Sequence, residues 1–243
     1  MNSKTFCLGD PHGGHKAMLQ CFKRSGFNKD NDKLICIGDV VDGWPETPEC
    51  IETLLSIKHL VYIMGNHDVW CHEWFQYGNS PTIWLSQGGL ATITAYQKNP
   101  ELLIKHKDFF TDKPFYYIKD NRLFVHGGFH AMWPIDKTTN YDMTWNRGMW
   151  ERALATKKIS AVHHERDRNI SMYIPRIKDY KDIFIGHTTT SKISDKPIKA
   201  LNIWNVDQGA GWEGKLSIMN VETKEFFQSD KVSTLYPGIQ GRG

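Results

Sequence analysis

The sequence predicts an α/β fold in one large domain, and three observations carry that reading. Its first 68 residues alternate strand and helix patterns. Five apolar runs end in glycine beside Asp, Asn or His. The second half is rich in short strands. Alternating strand and helix units imply parallel pairing. Glycine and polar side chains at strand ends are poor core material, but they suit a site at a sheet edge, where loops carry chemistry.

Thr5-Phe6-Cys7-Leu8 reads as a first strand and runs into Gly9-Asp10-Pro11-His12-Gly13. His15 to Arg24, with Met18, Leu19 and Phe22 apolar and Gly26 after it, reads as a helix with a glycine stop. Leu34-Ile35-Cys36-Ile37 runs into Gly38-Asp39-Val40-Val41-Asp42. A second helix follows, with Thr47 as N-cap and Pro48 at the first helical position. Leu60 to Met64 is the third strand and delivers Gly65-Asn66-His67-Asp68. Residues 69–114 read as mostly helical. Phe115–Ile118 and Leu123–Val125 form a hairpin turned through Asp120-Asn121, and the second of them ends at His126. Phe129 to Tyr180 is the least regular stretch, and its charged run His163–Arg168 is expected to be solvated. Ile183-Phe184-Ile185 leads to Gly186-His187. Ile198–Val206, Lys215–Val221 and Glu225–Phe227 are expected as short, antiparallel strands. The domain is placed at residues 1–235, with a disordered tail over 236–243.

Composition narrows the class. The hydrophobic fraction is 40% and the charged fraction 23%, ordinary for a globular protein. A net charge of +3 makes no case for nucleic acid. No apolar stretch approaches the roughly 20 residues that span a bilayer, so no membrane role is expected. Met1-Asn2-Ser3-Lys4 leads straight into a strand with no signal-peptide core, which points to a cytoplasmic location. The five cysteines show no CxxC spacing and read as reduced thiols.

The strand-end residues Asp10, His12, Asp39, Asn66, His126 and His187 offer carboxylate, amide and imidazole donors. Such donors suit borderline divalent metals, with manganese first and iron, zinc, nickel or cobalt also possible. Without thiolates this is not a structural zinc site. Six ligands exceed what one ion needs and suit two ions about 3.5–4 Å apart that share a carboxylate. Asp10, Asp39 and Asn66 could each be a helix N-cap taken singly, but three histidines at matching places make a joint capping role a poor account.

The ordered series GDxHG, GDxxD, GNHD, HGG and GHT resembles the PPP-type, calcineurin-like metallophosphoesterases. It is most similar to the bacterial and phage branch, which holds Ser/Thr protein phosphatases and symmetrical dinucleoside tetraphosphatases. The motifs span about residues 5–190, and Asn205 to Leu216 is similar to the family's closing strands. The resemblance implies a two-sheet β-sandwich flanked by α-helices, with a dimetal site at the strand C-terminal ends. It assigns Asp10 and His12 to one ion, Asn66, His126 and His187 to the other, and Asp39 to both. A hydroxide shared by the ions is the implied nucleophile and His67 the general acid, oriented by Asp42. Asp68 is expected to brace the loop by hydrogen bonds.

One departure stands out. The family's second motif commonly continues as GDxxDRG, with an arginine that clamps phosphate, whereas Gly43 stands here in its place. Arg147 matches the family's second arginine and is the expected remaining clamp, and Trp44 could offer an aromatic face. The reading is a metal-dependent phosphoester hydrolase, first a Ser/Thr protein phosphatase-like phosphomonoesterase acting on phosphorylated protein. Alternatives are a dinucleoside polyphosphate hydrolase, a phosphodiesterase acting on a small phosphoester or nucleotide, and a non-catalytic phosphate- or nucleotide-binding module.

Overall fold

The computed structural model describes residues 3–130, 132–162 and 174–242. The charged run His163–Arg168 therefore lies outside the described residues. The opening is strand, helix, strand, helix, strand. β1 (Thr5–Leu8), β2 (Lys33–Cys36) and β3 (His59–Tyr62) pair in parallel. α1 (His15–Ser25) and α2 (Thr47–Leu55) cross between them, and α3 (Asn66–Tyr77) leaves β3. Gly26 ends α1 in the left-handed conformation that glycine adopts without a Cβ clash. Thr47 does not cap α2, since its hydroxyl faces Thr92 and the preceding Glu46 holds the cap position without a side-chain bond.

A second sheet has the order β4 (Tyr116–Lys119), β5 (Arg122–Val125), β6 (Asp182–Ile185), β8 (Ile203–Asn205), with β7 (Ile198–Ala200) outermost. Asp120 and Asn121, both at positive φ, make the tight turn between β4 and β5. The expected antiparallel character of this half holds only at the edges. β5, β6 and β8 run parallel, because a long, partly helical connection from 126 to 181 returns the chain to the start of the sheet. The chain then re-enters the first sheet through β9 (Asp207–Gln208), β10 (Lys215–Asn220) and β11 (Phe226–Gln228), with β10 antiparallel to β1.

The near-continuous apolar runs are explained by burial on both faces. Phe6, Leu8, Leu34 and Cys36 face the helices, whereas Cys7, Ile35 and Ile37 face the other sheet. In the second sheet Leu123, Val125, Ile183 and Ile185 face its helices, and Phe124 and Phe184 point inward and stack at 4.8 Å. Each such side chain, fully buried, stabilises the fold by about 1.5–3 kcal/mol. This is a two-sheet sandwich flanked by helices, and the parallel strands of both sheets point their C-terminal ends at one edge. Among the described residues no helix is long and apolar enough to cross a membrane.

Candidate metal centre

Asp10 and His12 follow β1, Asp39 follows β2, Asn66 and His67 open α3 after β3, His126 follows β5 and His187 follows β6. All are buried. None of Asp10, Asp39 or Asn66 caps a helix, for Gly14, Glu46 and Gly65 hold those places. Four site residues lie in the left-handed region: His12 (φ 48°), Asp39 (52°), Asp42 (72°) and His187 (62°). Each costs on the order of 1–3 kcal/mol and persists only where its surroundings fix it. The bonds that fix them are His12 N–H to Asp39 O at 2.9 Å, Asp39 N–H to Asp68 Oδ2 at 2.8 Å and His187 N–H to Asp10 Oδ2 at 2.8 Å.

Two groups of ligand atoms form, Asp10–His12–Asp39 and Asp39–His126–His187, with the atoms of each group within 4.8 Å of one another. Asp39 belongs to both. Its Oδ1 accepts the His67 N–H at 3.0 Å, and its Oδ2 lies 3.2 Å from His126 Nε2 and 3.8 Å from His12 Nε2. The backbone fixes one oxygen, and the other stands between the two histidines. His12 Nδ1 donates to Val41 O at 3.0 Å and His126 Nδ1 to Ile37 O at 2.8 Å. A carbonyl only accepts, so Nε2 is the atom on each ring able to present a lone pair. Asn66 Oδ1 stands 3.1 Å from His126 Nε2, which adds the amide to the second group.

His67 and Asp42 are paired, Nδ1 to Oδ2 at 2.6 Å. The same Oδ2 accepts the Trp84 indole N–H at 2.7 Å, and Oδ1 accepts the Thr92 hydroxyl at 2.8 Å. The Thr92 oxygen in turn accepts the Asp42 N–H at 2.9 Å. Trp84 and Thr92 were not visible as site residues in the sequence. The His67 ring stands edge-on to His12 at 5.2 Å, and its Nε2 is buried without a partner. Asp68 braces the loops as expected, accepting from Asp39 N, Gly65 N and the Tyr62 hydroxyl, each at 2.8 Å, and from Val40 N at 3.1 Å.

Burial, then the charge of Asp207, pushes the Asp10 carboxyl well above the ordinary range. Burial also lowers His187 and His12 well below the usual imidazole value, helped by His126 and Arg242 respectively. Asp39 and His126 answer each other: burial opposes both charges, yet the neighbouring histidines hold Asp39 well below 3.8, and Asp39 pushes His126 up to about 10. Carboxylates and imidazoles packed together this way are mutually frustrated, and cations among them reverse that. Asp10 Oδ1 is buried with no hydrogen-bond partner among the described residues. A Cβ at Gly65 or Gly186 would sit 2.1 Å from Asp39 Oδ1 or Asp10 Oδ1, so only glycine lets the backbone cradle these carboxylates. Oxygen and imidazole donors in two groups that share a carboxylate fit two divalent cations.

The model of the calcineurin-like phosphoesterase family matches residues 3–193. The chain belongs to that family. As a calcineurin-like phosphoesterase it is a metallophosphoesterase, a hydrolase of a family that uses divalent metals. It is similar to the symmetrical bis(5'-nucleosyl)-tetraphosphatase of Neisseria meningitidis, at 24% identity over 92% of this chain and 94% of that protein. The like-named protein of Nitrosomonas europaea is 33% identical over 66 residues, 27% of this chain and 25% of that protein. A solved protein serine/threonine phosphatase from Saccharomyces cerevisiae superposes with a TM-score of 0.64 at 14% identity, over 99% of this chain and 83% of that one.

The remaining expected residues divide. Arg147 is at the centre, its Nε donating to His187 Nε2 at 3.2 Å. Trp44 is 1% exposed, its indole N–H is bonded to Ala210 O, and its ring is stacked on Tyr236 at 5.1 Å, so its face is taken by this chain. The stacking partner belongs to the segment expected to be a disordered tail. Residues 236–242 instead pack onto the domain, with Tyr236 donating to Glu46 and accepting from Lys16 N. Trp145 stands 5.6 Å from the His187 ring, and Trp212 stands 6.3 Å from the His12 ring.

Proposed function

We propose that this metallophosphoesterase cleaves dinucleoside polyphosphates, with diadenosine tetraphosphate as the model substrate. The observation that carries the reading is the pairing of aromatic and ligand on both sides of the centre, Trp145 against His187 and Trp212 against His12. A tryptophan at each edge, Trp145 stacked on Tyr141 and Trp212 under the Arg242 guanidinium, suits a substrate with a base at each end and phosphates between. The similarity to a symmetrical tetraphosphatase over nearly the full length of both chains supports it. The fold is shared with a protein phosphatase and does not discriminate. This ranking places the dinucleotide ahead of the phosphoprotein that the motifs alone suggested.

Asp10 and His12 would hold one divalent cation and Asn66, His126 and His187 the other, with Asp39 available to both and manganese the first choice of metal. Bound there, the cations supply Lewis acidity toward the phosphate and an acidified water. His67 delivers a proton from Nε2 to the departing phosphate oxygen. Asp42, itself held by Trp84 and Thr92, fixes the ring so that this nitrogen faces the centre. Arg147 grips phosphate beside His187.

Metal-stripped protein resupplied with Mn²⁺ should be assayed in parallel on diadenosine tetraphosphate, a phosphoserine peptide and a bis-aryl phosphodiester. The reading expects the highest kcat/KM on the dinucleotide, with ADP the sole product. A phosphoserine peptide cleaved faster would return the protein phosphatase to first place.

A further inference from the structure

Gly43 leaves the site one arginine short by comparison with the motif it resembles, and the structure has an arginine in that space. A Cβ at position 43 would lie 2.9 Å from Arg242 Cγ and 3.3 Å from Arg242 N. The segment that brings Arg242 there is fastened at several points. Tyr236 stacks on Trp44, the residue after Gly43, and Arg242 N–H donates to Gly211 O at 2.7 Å. The guanidinium is aimed as well as placed. Its Nε donates to Gln87 O and its Nη2 to Gln87 Oε1, both at 3.2 Å, and it lies over the Trp212 ring at 4.4 Å. The remaining arm, Nη1, stands 3.2 Å from His12 Nε2.

Two features of this placement point to an anion. Among the described residues no carboxylate lies within ion-pair distance of Arg242, although it is largely covered. Moreover, the arm left over by Gln87 reaches the imidazole atom that would carry a cation. Asp39, Asp42, Asp207 and Asp10 favour the Arg242 charge from a longer range, and an anion lying against both the guanidinium and a neighbouring cation would offset their mutual repulsion at contact. Arg147 stands in the same relation to His187 on the other side of Asp39. Each half of the centre thus has one arginine at its outer histidine and one tryptophan beside it.

We propose that Arg242 is a substrate-binding residue, delivered by the C-terminal segment into the space left by Gly43, where it grips phosphate oxygens on the Asp10–His12 side as Arg147 does on the other. This rests on the phosphoester reading above and deepens it: the ligand is a polyphosphate chain spanning both halves. A cavity of about 820 Å³ opens beside Arg242 and Trp212, with Lys192, Lys231, Glu213 and the Lys215–Asp195 ion pair on its walls. It has room for the nucleoside and outer phosphate of one end of such a substrate.

The test is calorimetric titration of inorganic phosphate into the Mn-loaded full chain, as wild type, Arg242→Gln and Arg242→Lys, with bound manganese measured in each. Metal content should be the same in all three. Phosphate should bind about tenfold to a hundredfold more weakly to Arg242→Gln. Arg242→Lys should fall between, since it keeps the charge and loses the fork. On diadenosine tetraphosphate the loss should appear chiefly in KM. Phosphate affinity in Arg242→Gln equal to wild type overturns the proposal, and tighter binding would make Arg242 a plug rather than a clamp and overturn it too. Wild-type protein that holds manganese but binds no phosphate would sink the phosphoester reading itself, and this inference with it.

Discussion

The two halves of the centre are built from similar parts by different routes. On the Asp39–His126–His187 side, ligands and arginine all come from the strand ends and the connection between them, and Arg147 occurs within a recognisable stretch of sequence. On the Asp10–His12–Asp39 side, the ligands come from the first two strands but the arginine comes from the far end of the chain. His67, the proposed proton donor, belongs to this second side as well, since it stands edge-on to His12. The difference teaches that a lost motif residue need not mean a lost contact: the space left by a missing side chain can be filled by backbone and side chain from elsewhere.

The largest test of the comparison is the residue common to both halves. Asp39→Asn should lower turnover by at least about a thousandfold, because both groups lose their shared oxygen. A loss confined to metal binding in one half would show that the halves are independent. His67→Asn should cost about a hundredfold to ten-thousandfold in kcat while leaving metal content intact. The loss should shrink for an ester whose leaving group needs no proton, such as a nitrophenyl phosphate. An equal loss on both esters would assign His67 a different task.

Next is pH. In metal-free protein Asp39 holds His126 protonated up to about 10, so near neutrality a metal must displace that proton. Uptake in the His126 half should release a proton, and apparent affinity should weaken by about tenfold per unit as pH falls below about 10. In the other half His12, pushed down by burial and Arg242, should release no proton, whereas Asp10, pushed well above the ordinary carboxylate range, should give one up. Calorimetry in buffers of different ionisation enthalpy reads the released protons. Affinity that stays flat from pH 6 to 8 in the His126 half would contradict a protonated His126 in the metal-free protein. Smaller still, Thr92→Val deletes a donor to Asp42 and the acceptor of its N–H, and should cost about 1–3 kcal/mol in urea unfolding. Its kcat should fall with metal affinity unchanged.

Much of this was legible in the sequence for a physical reason. The clustered side chains proposed as ligands sit at strand ends, where an apolar run stops and glycine meets a polar side chain, and that pattern is local. Asp68 was legible as a brace because it lies one residue beyond His67, the proposed acid. Trp84 and Thr92 were not, since they reach Asp42 from helices tens of residues away and nothing near them marks a site. The parallel order of β5, β6 and β8 was hidden because strand patterns carry no direction. Arg242 was masked by Gly- and Pro-rich surroundings that read as disorder. The signal that could have found it was the vacancy at Gly43 itself. That position has φ +99°, a backbone state that disfavours arginine, so a guanidinium there had to come from another segment.

The central claim is one centre of two cation sites joined through Asp39, and counting metal tests it most directly. Mn²⁺ titrated into chelator-treated protein should reach two ions per chain in the wild type. It should reach one in His12→Ala, and Asp39→Asn should weaken both. A single ion in the wild type, or two retained at full affinity in Asp39→Asn, would contradict it.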